Sequence, residues 1–161
     1  MEEDAQHFIQ ALETKRGTPI LWRTYSTWYG NTNKVVREYG VFVYRCKDTF
    51  YFEDFERNPS IFGIPLQKKK NTTPFVQYEG SFSVNEIEKT MQVSKKYALR
   101  MAQEGQNDSG LKAANALQKV FSPLVEMVQL KGGTVHFFEL IDRKAFLLEL
   151  ENKGEKTDGS I

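Results

Sequence analysis

The stretch from Val41 to Arg57, VFVYRCKDTFYFEDFER, constrains the fold of this chain more than any other. It carries Phe42, Tyr44, Phe50, Tyr51, Phe52 and Phe55, and the polar pair Lys47-Asp48 splits it. Two β-rich runs separated by two polar residues read as a hairpin. With Lys47-Asp48 as the turn, Cys46 faces Thr49, Tyr44 faces Tyr51, Phe42 faces Glu53 and Gly40 faces Phe55. Alternation along each strand then assigns the faces. Phe42, Tyr44, Cys46, Tyr51, Glu53 and Phe55 share one. Val41, Val43, Arg45, Phe50, Phe52, Asp54 and Glu56 share the other, and its valines and phenylalanines mark it as core. A hairpin with bulky groups on both faces must meet something on the second: a helix, another sheet or a ligand. Helix-on-sheet packing is the usual solution.

The rest of the chain supplies candidates for both layers. Asp4 is a suitable N-cap for an amphipathic helix over residues 4–14, with Ala5, Phe8, Ile9 and Leu12 on one stripe and Lys15-Arg16-Gly17 closing it. Residues 20–29 alternate as a strand, Gly30 to Asn33 turns, and residues 36–46 and 49–56 form the hairpin. Asn58-Pro59 breaks the pattern. Ile61 to Leu66 is an edge strand at most, because Gly63 and Pro65 interrupt it. A polar loop with Lys68, Lys69 and Lys70 follows, then a strand over 75–82.

Ser83 to Glu86 matches a capping box, which predicts a helix over 84–103. Ile87, Met91 and Val93 also suit a strand, with Ser94 opening a separate helix. A further helix is expected from Leu111 to Phe121, ended by Pro123. Leu124 to Leu130 reads as a strand. Residues 134–141 and 145–151 read as a final hairpin around Asp142-Arg143-Lys144, which would set His136 opposite Leu150.

Helices lying between two blocks of strands, without strand–helix–strand alternation, indicate an α+β fold. The expectation is a mainly antiparallel curled sheet or small barrel flanked by two or three helices. It is pleckstrin-homology-like in shape at most, since the strand order and the lack of a C-terminal helix depart from that architecture. A single domain is expected over residues 1–152, with a polar, disordered tail over 153–161.

Charge is unevenly spread. The chain has a net charge of +1, so whole-molecule attraction to nucleic acid is not implied. Yet residues 15–47 hold Lys15, Arg16, Arg23, Lys34, Arg37, Arg45 and Lys47 against Glu38 alone, interleaved with Trp22, Tyr25, Trp28, Tyr29, Tyr39, Phe42 and Tyr44. Basic charge among rings suits a single-stranded nucleic-acid or anionic-ligand surface. The competing expectation is a solvated face whose charges pair with Asp54 or Glu56 on neighbouring strands.

Arg23, Tyr25, Tyr29, Arg37, Phe42, Tyr44, Lys47, Tyr51 and Phe55 are therefore the candidate binding residues. The leading expectation is a non-catalytic binding module for a protein partner or for a second copy. The alternative is a sequence-tolerant single-stranded nucleic-acid binder.

Catalysis has little support. The chain has no Walker loop, G-x-G-x-x-G, C-x-x-C or H-E-x-x-H pattern. His136 and Glu139 fall on opposite faces of a strand, and so do Glu53 and Asp54. A small enzyme would have to centre on Cys46 or His136 with partners distant in sequence. No cofactor or metal is expected. The lone Cys46 suggests a reducing compartment, and no apolar run approaches the roughly 20 residues that span a bilayer. The expected location is the cytoplasm.

Overall fold

A computed structural model describes residues 2–54, 60–61, 64–65, 78–105, 115, 117, 123–140 and 142–151. It is an α+β fold: a curled antiparallel sheet of seven strands with three helices among the described residues. In chain order the elements begin with helix α1 (Glu2–Arg16), strands β1 (Trp22–Asn31), β2 (Val35–Cys46) and β3 (Thr49–Asp54), and a two-residue pair β4 (Ser60–Ile61) and β5 (Ile64–Pro65). There follow β6 (Glu79–Ser83), a 3-10 turn (Val84–Glu86), β7 (Ile87–Ser94), α2 (Lys95–Glu104), β8 (Leu124–Leu130), β9 (Val135–Leu140) and α3 (Arg143–Glu151). Phe55, the Asn58-Pro59 break, the Lys68 to Lys70 loop and the 153–161 tail lie outside the described residues. Of the helix expected between Leu111 and Phe121, only Asn115 and Leu117 are described.

The sheet order is β6-β3-β2-β1-β9-β8-β7, so β6 and β7 are its two edges. Only Val84 to Glu86 separate them in sequence. A flat sheet of this width could not be joined edge to edge by three residues, so the strands curl into a half-barrel. The junction is pinned from both sides: Val84 N–H donates to Asp48 O and Lys131 N–H to Glu86 O. The Ser83 capping box is present, with Ser83 N–H donating to Glu86 and Asn85 N–H to the Ser83 hydroxyl.

That capping box closes one tight turn and no longer helix. Residues 87–94, with Ile87, Met91 and Val93, continue as β7, and Ser94 caps the separate helix α2 by accepting from Tyr97 N–H. The predicted helix over 84–103 is thus a strand followed by a helix. The final hairpin is corrected as well. β9 pairs with β8 and β1, and residues 143–151 are helical. Asp142 starts α3 by accepting from Ala145 N–H. Lys, Ala, Leu and Glu are good helix formers, and Phe146 and Leu150, four apart, fall on one face. His136 accordingly lies beside Val128 and Asn31, not Leu150. α1 begins at Glu2, which puts Asp4 in its first turn, not at its cap. α3 is thus a helix following the last strand, where the sequence pattern predicts none.

The concave side holds the main core. Trp28, Val41, Val43, Phe50, Phe52, Phe82, Val128 and Phe138 meet there, with Phe146 and Leu150 of α3. Phe52 lies at its centre, in ring contact with Trp28, Tyr78, Phe82, His136 and Phe138. Gly80 pairs with Phe52 in register and provides the notch for its ring. A Cβ on Gly80 would fall 2.2 Å from the Phe52 ring tip. Over-packing a filled core costs roughly 1–3 kcal/mol, so Gly80→Ala is expected to destabilise by about 2 kcal/mol. Combined with Phe52→Leu, it is expected to cost clearly less than the sum of the two single changes. Strict additivity in urea titrations would remove the notch explanation.

On the convex side α2 covers one half, over Tyr29, Val93, Val125, Met127 and Phe137. α1 covers the other, over Phe42, Tyr44 and Cys46. Between Trp28 and Gly30 the register of β1 shifts. Gly30 takes φ 109° there, and a Cβ would sit 1.8 Å from the Val35 carbonyl, so the bulge requires glycine.

Candidate functional site

The hairpin pairs as the two-residue turn dictates: Val41 with Asp54, Phe42 with Glu53, Val43 with Phe52, Tyr44 with Tyr51, Arg45 with Phe50 and Cys46 with Thr49. Val41, Val43, Phe50 and Phe52 face the main core. The tyrosine-bearing face meets α1, which crosses the strands rather than running along them. Its N-terminal turns lie by Arg23 on β1. Phe8 and Leu12 reach Phe42 and its neighbours on β2, and Arg16 reaches Tyr51 on β3 and Glu79 on β6.

Arg16 is the clamp. Its guanidinium stacks 3.8 Å from the Tyr51 ring centre, donates through Nε to the Tyr44 hydroxyl at 2.9 Å and pairs with Glu79. The Tyr44 hydroxyl in turn donates to Glu53, a buried carboxylate, at 3.2 Å. Lys15 closes the cluster on Glu79 at 2.7 Å and on Glu53 at 3.7 Å. Burial pushes the Tyr44 phenol up, which keeps it protonated and able to donate. Hydrogen bonds from Lys15 and Arg16 hold the Glu79 carboxyl below its ordinary range.

This geometry redistributes the predicted site. Phe42 and Tyr44 lie beneath α1, and Tyr29 lies beneath α2. A base can stack only on a ring that faces solvent, so these three form no platform. Burial, followed by its hydrogen bond to Glu139, pushes the Tyr29 phenol up to about 12. Tyr51 is half-buried, its face taken by Arg16. Arg37 pairs with Asp54 at 3.0 Å and lies over the Tyr39 and Tyr78 rings. Arg45 is buried, donating to Lys47 O and to Glu149 on α3. The basic segment is therefore largely neutralised by carboxylates of neighbouring elements. Lys47 is exposed at the hairpin turn with φ 50°, and Phe55 lies outside the described residues.

Of the predicted residues on the convex face, Arg23 and Tyr25 are solvent-exposed. Tyr25 is 50% exposed and packs on Phe42 at 5.3 Å, as Phe8 does from the helix at 5.4 Å. Leu21, just before β1, is 63% exposed. Arg23 lines a groove of about 370 Å³ with Glu2, Ala5, Gln6, Ile9 and Gln10 of α1. Sequence reasoning missed Phe8 and this helix edge as surface; Leu21 falls with Arg23 and Tyr25 on the face that alternation marks for exposure, and it is exposed. Phe8 sits on the apolar stripe of α1, and only the crossing angle of the helix leaves it at the margin of its footprint.

Cys46 is buried and burial pushes its thiol up, the reverse of what a nucleophile needs. His136 is packed among Trp28, Phe52, Phe82 and Phe138, and burial lowers its pKa to about 4. No group of three or more His, Cys, Asp or Glu among the described residues could hold a metal ion. None of the described helices is long and apolar enough to cross a membrane. Searches against family models, curated proteins and solved structures find no match to this chain.

Proposed function

We propose that this chain is a non-catalytic interaction domain that receives a protein partner on Leu21, Arg23 and Tyr25 and on the N-terminal half of α1. The observation that carries this reading is Tyr25, a half-exposed ring that packs with Phe8 on Phe42 and shares strand β1 with Arg23, which lines the groove along α1. Tyrosine and arginine are the residues enriched where interfaces concentrate binding energy. The buried Cys46 thiol fits a reducing, cytoplasmic setting, which is part of the same proposal.

A photoreactive residue placed at Tyr25 tests it in cells that make the protein. A discrete cross-linked product is expected at Tyr25, lost with Arg23→Glu and absent when the probe sits at Glu88, an exposed residue of β7. Equal products at Tyr25 and Glu88, or none at either, would sink the reading.

The nucleic-acid alternative has lost most of its machinery to internal contacts and keeps Arg23, Tyr25 and Lys47. A titration with labelled single-stranded oligonucleotide at low and high salt separates the two. Phosphate contacts give affinity that falls steeply with salt, whereas the protein-binding reading expects no association at either concentration.

A further inference from the structure

We propose that α3 is a displaceable plug, and that the concave cleft beneath it is a docking site for an amphipathic helix. Such a helix would present an arginine, an aromatic residue three positions on and a leucine seven positions on. The chain's own α3 defines this chemistry. Arg143 donates through Nε to Glu126, a buried carboxylate on β8. Phe146 inserts between Trp22 and Phe50, with ring centres 5.8 and 5.5 Å away. Leu150 is buried one turn further on. At the far end Arg45 donates to the Glu149 carbonyl and carboxylate, satisfying a helix C-terminus that would otherwise be open.

Two features make α3 replaceable. It has nine residues, fewer than the roughly 12–15 at which isolated helices become marginally stable in water, so it is helical because it is docked. Phe146 and Leu150 are its buried residues, while Leu148 points to solvent.

Arg143 also leaves its partner half satisfied. Glu126 Oε1 is buried and has no hydrogen-bond partner among the described residues, and the Arg143 side chain is 43% exposed. A helix that brings its guanidinium in end-on would donate to both oxygens, the stronger bidentate arrangement. Such a competitor would gain a hydrogen bond that α3 does not make, to set against the advantage α3 has from being tethered.

The probe is a fluorescently labelled synthetic peptide of residues 142–151. It is expected to bind full-length Arg143→Ala chain at least tenfold more tightly than the unmodified chain. Peptide with alanine at the Phe146 position is expected to lose that binding. A folded Arg143→Ala chain that ignores the peptide would overturn the proposal. Hydrogen exchange on the unmodified chain decides independently, should Arg143→Ala not fold. Amides of Leu147 to Leu150 are expected to exchange at least tenfold faster than those of Val41 to Tyr44. Equal protection of the two segments would show that α3 opens only when the whole domain unfolds, and would end the plug proposal.

Discussion

Arg16→Ala is expected to lower stability by about 3 kcal/mol and to loosen α1 from the sheet. The reason lies beneath the helix. The Glu53 side chain is 4% exposed, with Tyr44 Oη, Arg16 Nη2 and Lys15 Nζ at 3.2, 3.5 and 3.7 Å. Removing one partner of a buried ion pair typically costs about 3–5 kcal/mol, because the remaining charge stays desolvated. Lys15 remains to share the load, so the lower end applies. The arginine stem and its stacking on Tyr51 are lost as well.

Lys15→Ala is the control: its side chain is 46% exposed, and exposed pairs contribute about 0–1 kcal/mol. Urea unfolding gives the energies. The single thiol gives a second readout, since Cys46 lies in the cluster that α1 covers and is expected to react with a thiol reagent faster in Arg16→Ala. A loss below about 1 kcal/mol, or a thiol as protected as before, would remove Arg16 as the clamp.

How much of this was legible in the sequence depends on the distance over which each choice is made. The hairpin register followed from Lys47-Asp48 alone, because a two-residue turn leaves one pairing, and alternation then separated Val43 from Tyr44. The antiparallel α+β class followed from the order of the elements. The fate of the second face did not follow. Tyr25 and Phe42 are direct neighbours on that face, yet one is half exposed and the other buried. The difference is the path of α1, and that path is fixed by Arg16 reaching Glu79, sixty-three residues away.

The same holds for charge. A run of seven cations in residues 15–47 reads as a surface until the fold brings Glu53, Asp54, Glu79 and Glu149 against it. Local signals misled only where two structures share one pattern. Ser83-x-x-Glu86 caps a single turn as readily as a long helix. AFLLELE alternates well enough for a strand, while its Phe146–Leu150 spacing serves a helix. In both cases the deciding partner, Asp48 for the turn and Glu126 for the helix, sits elsewhere in the chain.

Between pH 6.5 and 4 the domain is expected to lose about 3 kcal/mol of stability through His136 alone. Its ring is enclosed by Phe52, Phe82, Phe138 and Trp28, and Nδ1 has no hydrogen-bond partner among the described residues. Burial therefore disfavours the charged form and lowers the pKa to about 4 from an ordinary 6.5. In this window the unfolded chain binds the proton and the folded chain does not, so stability rises with pH. The contribution is complete above about 6.5 and is lost as pH falls toward 4. Each unit is worth about 1.4 kcal/mol, which gives the figure of about 3.

Other groups titrate nearby and in both directions. Glu79, held low by Lys15 and Arg16, loses its contribution at lower pH. Glu126, raised by burial, favours folding as pH falls. Both are common to the unmodified chain and to His136→Phe, so the difference between the two isolates the histidine. Phenylalanine keeps a ring in the aromatic cluster and removes the unpartnered nitrogen. The variant is expected to match or exceed the unmodified chain at pH 7, and its advantage is expected to grow by about 3 kcal/mol on going to pH 4. Parallel stability curves for the two proteins across that range would mean that His136 is not held neutral by the core.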